Sequence, residues 1–147
     1  MSREPTAETI AVWARLNRAS RTVQSAVDDA LKKAGLPTLD WYDVLAELKR
    51  AGSSGTRPFE MVRELGMAQY RLSRVLRRME SAGLVRRKTV PGDARGQVVQ
   101  MTVEGRRVHG EIWSVVAGAL QHSIGDRLEI TEALRLGQFL QRLAPQQ

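Results

Sequence analysis

Cysteine is absent from the chain, which excludes disulfides, thiol redox sensing and thiolate metal sites together. Long hydrophobic runs are missing too. The longest mostly apolar stretch, Ile112 to Leu120, falls far short of the roughly 20 residues that a membrane-spanning helix requires. The first ten residues are polar and carry Arg3, Glu4 and Glu8, without the apolar centre of a signal peptide, so a cytoplasmic location away from membranes is expected. Signatures of catalysis are also lacking. There is no glycine-rich phosphate loop and no His-Glu metal motif, and Gly52-Ser53-Ser54-Gly55 is not followed by the Lys-Ser/Thr of a nucleotide loop. His109 and His122 are too far apart along one predicted helix to ligate a metal from neighbouring turns. Neither enzymatic activity nor a metal or cofactor is expected.

What is present is positive charge in one place. The 147 residues carry a net charge of +7, and 42% of them are hydrophobic, enough for a core. Between Arg57 and Arg107 there are 12 Lys or Arg against 5 Asp or Glu, and the remainder of the chain is neutral. A global excess of charge says little about partners. An excess confined to the middle third resembles a nucleic-acid footprint set in a neutral scaffold, although a solvated basic face would show the same count.

Apolar periodicity gives the element order. Trp13, Leu16, Ser20, Val23, Val27 and Ala30 recur at steps of three and four, predicting a helix from Thr6, its cap, to about Ala34, ended by Gly35 and Pro37. So long a helix with so narrow a seam needs a partner. A second helix is predicted from the cap Thr38 to Ala51, with Tyr42, Leu45 and Leu48 as its stripe, and Gly52–Gly55 as a loop. Two short helices follow, about Phe59–Leu65 and Ala68–Ala82, closed by Gly66 and Gly83. Leu72, Val75, Leu76 and Met79 give the second an inward face. Its outer face carries Gln69, Tyr70, Arg71, Ser73, Arg74, Arg77 and Arg78. This is a helix-turn-helix arrangement. Leu84–Val90 and Gln97–Met101 read as strands flanking a turn-rich tip, a wing. Thr102 caps a helix to about Ser123, and Thr131 opens the last one. The fold class is mainly α with a small β-hairpin: a winged helix-turn-helix lobe at 35–103 between terminal helical segments, 1–34 and 104–147.

The outward residues suit DNA. Gln69 matches adenine, and Arg71 or Arg74 matches guanine through paired donors. Tyr70 reaches a phosphate or a thymine methyl, and Arg77 and Arg78 suit the backbone or packing. The competing arrangement is a salt-bridged helix face, with Arg77 or Arg78 on Glu80 or Glu64. At the wing, Arg95 is placed to enter a narrow minor groove, with Asp93 two residues earlier to orient it; alternatively the two form a structural turn clamp. Arg86, Arg87 and Lys88 alternate across a strand and cannot all face one way; Arg87 and Lys88 are taken as phosphate contacts. Trp13, Trp41, Tyr42 and Trp113 lie on helices expected to meet near the junction of the lobes, as core or as the lining of an effector site.

The run Leu72-Ser73-Arg74-Val75-Leu76-Arg77-Arg78-Met79-Glu80-Ser81-Ala82-Gly83-Leu84-Val85-Arg86-Arg87 resembles the recognition-helix-to-wing segment of the MarR family. Asp93-Ala94-Arg95-Gly96 and Met101-Thr102-Val103-Glu104-Gly105-Arg106 resemble that family's wing tip and the start of its next helix. Ala68 departs from the family's frequent Ser or Thr cap, and Glu60–Leu65 is a looser match. The resemblance implies a homodimer with interlocking terminal helices and double-stranded, palindromic DNA as partner. It also implies a transcriptional regulator, a repressor in this reading, released by a small aromatic or anionic effector. A protein-interaction module on the same fold is the rival, distinguished by where the charge lies.

Overall fold

The computed structural model of the chain describes residues 3–93 and 96–144. Six α-helices and one antiparallel hairpin follow in the order α1 (Ala7–Lys33), α2 (Leu39–Ala51), α3 (Pro58–Leu65), α4 (Gln69–Ser81), β1 (Val85–Thr89), β2 (Gln97–Met101), α5 (Val103–Leu120) and α6 (Ile130–Leu143). The chain is mainly helical with a two-stranded hairpin, as its periodicity predicts. It divides into two compact units, one of residues 31–114 and one of residues 1–30 with 115–147.

The unit of residues 31–114 contains a dense core. Val44, Leu45 and Leu48 of α2, Met61 of α3, the α4 stripe Leu72, Val75, Leu76 and Met79, Val85 and Val99 of the hairpin, and Val108 and Ile112 of α5 are all buried. Each strand of the hairpin faces its partner in a simple register, Val85 opposite Met101 and Thr89 opposite Gln97. A third backbone segment joins β2: Thr56 N–H donates to the Val99 carbonyl at 3.0 Å and Val99 N–H returns to the Thr56 carbonyl at 2.8 Å. Gly55 makes this possible. Its φ is +74°, and a Cβ there would lie 2.6 Å from the Val99 carbonyl oxygen, so only glycine fits.

Several helix ends differ in detail from the sequence reading. Thr6 caps α1, accepting from the Thr9 amide at 3.3 Å. Thr38 stands at the α2 N-cap but its hydroxyl makes no cap bond, so it contributes only extended backbone there. Gly52–Ser54 forms a 3₁₀ turn rather than an irregular loop. Thr131 does not open α6. Glu129 stands at that N-cap, and the Glu132 carboxylate accepts from its amide at 2.9 Å, a reach-back that satisfies an otherwise orphan donor. The helix expected to reach Ser123 leaves α geometry after Leu120 and closes as a π turn over Gln121–Gly125, where Asp126 N–H donates to the Gln121 carbonyl at 2.8 Å.

The other unit is built differently. Among its described residues only Val27 and Val116 are buried apolar side chains. Ile10, Val12, Trp13 and Leu16 on α1 are exposed, as are Ile130, Leu134, Leu136, Phe139, Leu140 and Leu143 on α6.

Candidate nucleic-acid interface

Helices α3 and α4 meet through Gly66, which takes a left-handed conformation with φ +60° and stops α3. Ala68 then supplies the α4 N-cap with extended backbone and no side-chain bond, as expected of an alanine at this position. The inward stripe of α4 fixes which face looks outward. Gln69, Tyr70, Arg71, Ser73, Arg74, Arg77 and Arg78 are all exposed, Tyr70 by 72%. The salt-bridged alternative for Arg77 and Arg78 does not form among the described residues, because Glu80 is engaged by Arg87 and the nearest basic partner of Glu64 is Arg63.

Arg71 has a partner that spacing alone could not reveal. Asp40, at the start of α2, accepts from its guanidinium in a bidentate geometry, with Nη2 at 2.7 and 2.8 Å and Nε at 3.2 Å. The carboxylate holds the guanidinium pKa above its ordinary value and orients it. Arg71 thus serves α2–α4 packing in this state, where sequence reasoning had it pointing at a base.

The hairpin sorts its cations by face. Arg87 donates from Nε to the Glu80 carboxylate on α4 at 3.0 Å, and Lys88 is exposed. Asp93 accepts from Arg57 Nη1 at 3.3 Å, linking the hairpin tip to the start of α3. Arg95, the expected minor-groove residue, lies outside the described residues. After β2, Thr102 ties three segments together. Its hydroxyl donates to the Gly83 carbonyl at 2.6 Å and accepts from the Gly105 amide at 3.0 Å, while its own amide donates to the Leu84 carbonyl at 3.0 Å. Gly105 packs so near Leu84 that a Cβ would overlap its carbonyl oxygen. The Thr102-x-x-Gly105 spacing is therefore a cap plus a close approach that sets α5 against the end of α4.

The four aromatic candidates separate. Tyr42 stacks on Trp113 at 6.0 Å between centroids and on His109 at 4.9 Å, with interplanar angles of 20° and 11°. Burial, then the charge of Lys49, pushes the His109 pKa below its ordinary value. Trp41 is half-buried and Trp113 is 48% exposed. Trp13 lies in the other unit and is 67% exposed. His109 was considered in the sequence only as a metal ligand; its spacing of four from Trp113 was the signal for a shared ring face.

A short helix pair with a cationic outer face, followed by a hairpin and a capped helix, defines a winged helix-turn-helix protein. Residues 34–96 match the MarR family. The chain is 33% identical over 99 residues to the HTH-type transcriptional regulator PecS of Dickeya dadantii; the match covers 67% of this chain and 59% of PecS, so the chain spans less than two thirds of that relative. A MarR family transcriptional regulator from Streptomyces coelicolor, solved in complex with DNA, superposes with a TM-score of 0.87 at 27% identity, covering 98% of this chain and 90% of that one. CouR from Rhodococcus jostii RHA1, solved bound to p-coumaroyl-CoA, does so at 0.73 and 25%, covering 92% and 94%. The chain belongs to the MarR family.

Proposed function

We propose that the protein is a transcriptional regulator that binds a palindromic double-stranded DNA site as a homodimer, with α4 in the major groove and the hairpin tip in the adjacent minor groove. The observation that carries this reading is the outer face of α4. Gln69, Tyr70, Ser73, Arg74, Arg77 and Arg78 are all exposed there, and Arg74, Arg77 and Arg78 have no carboxylate partner among the described residues. Long donors on a helix fit base edges and phosphates of the major groove. Arg87, Lys88, Asp93 and Arg95 extend the contact along the hairpin. The solved relative in complex with DNA supports the assignment.

The terminal helices supply the dimer. The ten large apolar side chains that α1 and α6 leave in water are unfavourable by on the order of 1.5–3 kcal/mol for each one that a partner could bury fully. A second copy offers the same surface and closes the assembly with two-fold symmetry, which matches a palindrome with half-sites about one helical turn apart. In this reading the protein is a repressor, released by a small aromatic or anionic effector on the Tyr42–Trp113 ring face; CouR, bound to an aromatic acyl thioester, supports that class of ligand.

Titration of a palindromic duplex, selected from genomic fragments, tests the reading. Affinity is expected to fall steeply with salt, as several neutralised phosphates require, and Arg95→Ala is expected to weaken it without dissociating the dimer. A flat salt response would reject DNA as the partner.

A further inference from the structure

Strand alternation gives the hairpin two chemically different sides. Arg87 turns to α4 and Glu80, so Arg86, its neighbour in β1, projects from the opposite side. There Arg86 Nε donates to Gln100 Oε1 at 3.1 Å, and Gln100 Nε2 donates to the Ser53 carbonyl at 2.8 Å. Gln100 is buried, so this chain of bonds fixes the guanidinium before any ligand arrives. Arg86 and Gln100 form one wall of a cleft of about 210 Å³, lined also by Lys49 at the end of α2, Ser53, Met101 and Arg106 of α5.

Three cations and no carboxylate line this cleft. None of Lys49, Arg86 and Arg106 has an acidic side chain within ion-pair distance among the described residues. Neighbouring arginines are neutralised: Arg50 by Glu47, and Arg107 by both Glu104 and Glu111. The negative end of α2 does not account for the difference. A helix terminus is equivalent to about half an elementary charge, which leaves about two and a half positive charges uncompensated in one cleft. Its volume of about 210 Å³ lies below the roughly 300–1,000 Å³ of pockets that enclose drug-sized molecules, which together with the cations suits a small multi-oxygen anion.

We propose that this cleft is a binding site for a small phosphate-type dianion, held by Lys49, Arg86 and Arg106 with Gln100 as the positioning residue, on the side of the hairpin away from α4.

Calorimetric titration of the full chain with inorganic phosphate, slightly above neutral pH where it is mainly the dianion, at fixed ionic strength and without DNA, tests it. The expected result is saturable binding of one anion per chain below about 10 mM. Arg106→Gln should weaken binding about tenfold or more, Arg106→Lys should retain most of it, and Arg127→Gln in the other unit should leave it unchanged. Absence of saturation, or equal losses in Arg106→Gln and Arg127→Gln, would overturn the proposal as diffuse charge. The same phosphate chemistry could come from a DNA backbone. Duplex titration of Arg106→Gln separates the two: unchanged DNA affinity supports the small-anion site, whereas a weaker affinity with a salt slope smaller by about one replaces it with a backbone contact.

Discussion

A guanidinium held by a carboxylate through two nitrogens is oriented but not available, and Arg71 is in that position. The pair is partly exposed, so solvent screening leaves it little net contribution to folding. Asp40→Asn is therefore expected to shift the unfolding midpoint little, yet to raise DNA affinity a few-fold, because Arg71 is freed and a negative charge beside the duplex is removed; a binding isotherm against wild type checks this. His109 gives a second residue-level expectation. Its pKa is lowered in the folded chain from an ordinary 6.5, so the unfolded chain takes up a proton first as pH falls. Stability should decline as pH drops below about 6.5 and level off beneath the lowered native value. His109→Phe, which keeps a ring against Tyr42, should flatten that decline in thermal melts recorded at several pH values.

At the scale of elements, the hairpin and its neighbours depend on close backbone approach. Gly105→Ala would drive a methyl group into the Leu84 carbonyl and is expected to destabilise the unit of residues 31–114 by at least about 2 kcal/mol, measurable by urea denaturation. Most elements were legible in the sequence because their cause is local. The 3.6-residue stripe Leu72, Val75, Leu76 and Met79 identified α4, and glycines at 66 and 83 bounded it. What escaped the sequence is set by distant chain segments. Asp40 and Arg71 are 31 residues apart, Arg57 and Asp93 are 36 apart, and no periodicity connects such pairs. Similarly, Thr38 has the residue type of a cap but its hydroxyl makes no cap bond, whereas Glu132, three residues after Glu129, reaches back to that N-cap in place of Thr131.

At the scale of the whole molecule, the two units differ in how complete they are. The core of residues 31–114 buries its stripes within one chain, while the α1 and α6 surfaces leave theirs in water. Wild type is expected to sediment as a dimer at low micromolar concentration. Leu136→Glu combined with Leu140→Glu, adding two charges to the exposed α6 stripe, should yield a monomer that retains the α4 lobe but loses most of its DNA affinity, since each half-site must then be bound without the avidity of the pair.

Helix α2 carries Asp40, the clasp on α4, and Tyr42, the ring stacked on α5, only two residues apart. One turn of a stiff rod thus touches both the reading head and an aromatic surface. A molecule that levers Tyr42 away from Trp113 would therefore pull on the same turn that grips Arg71.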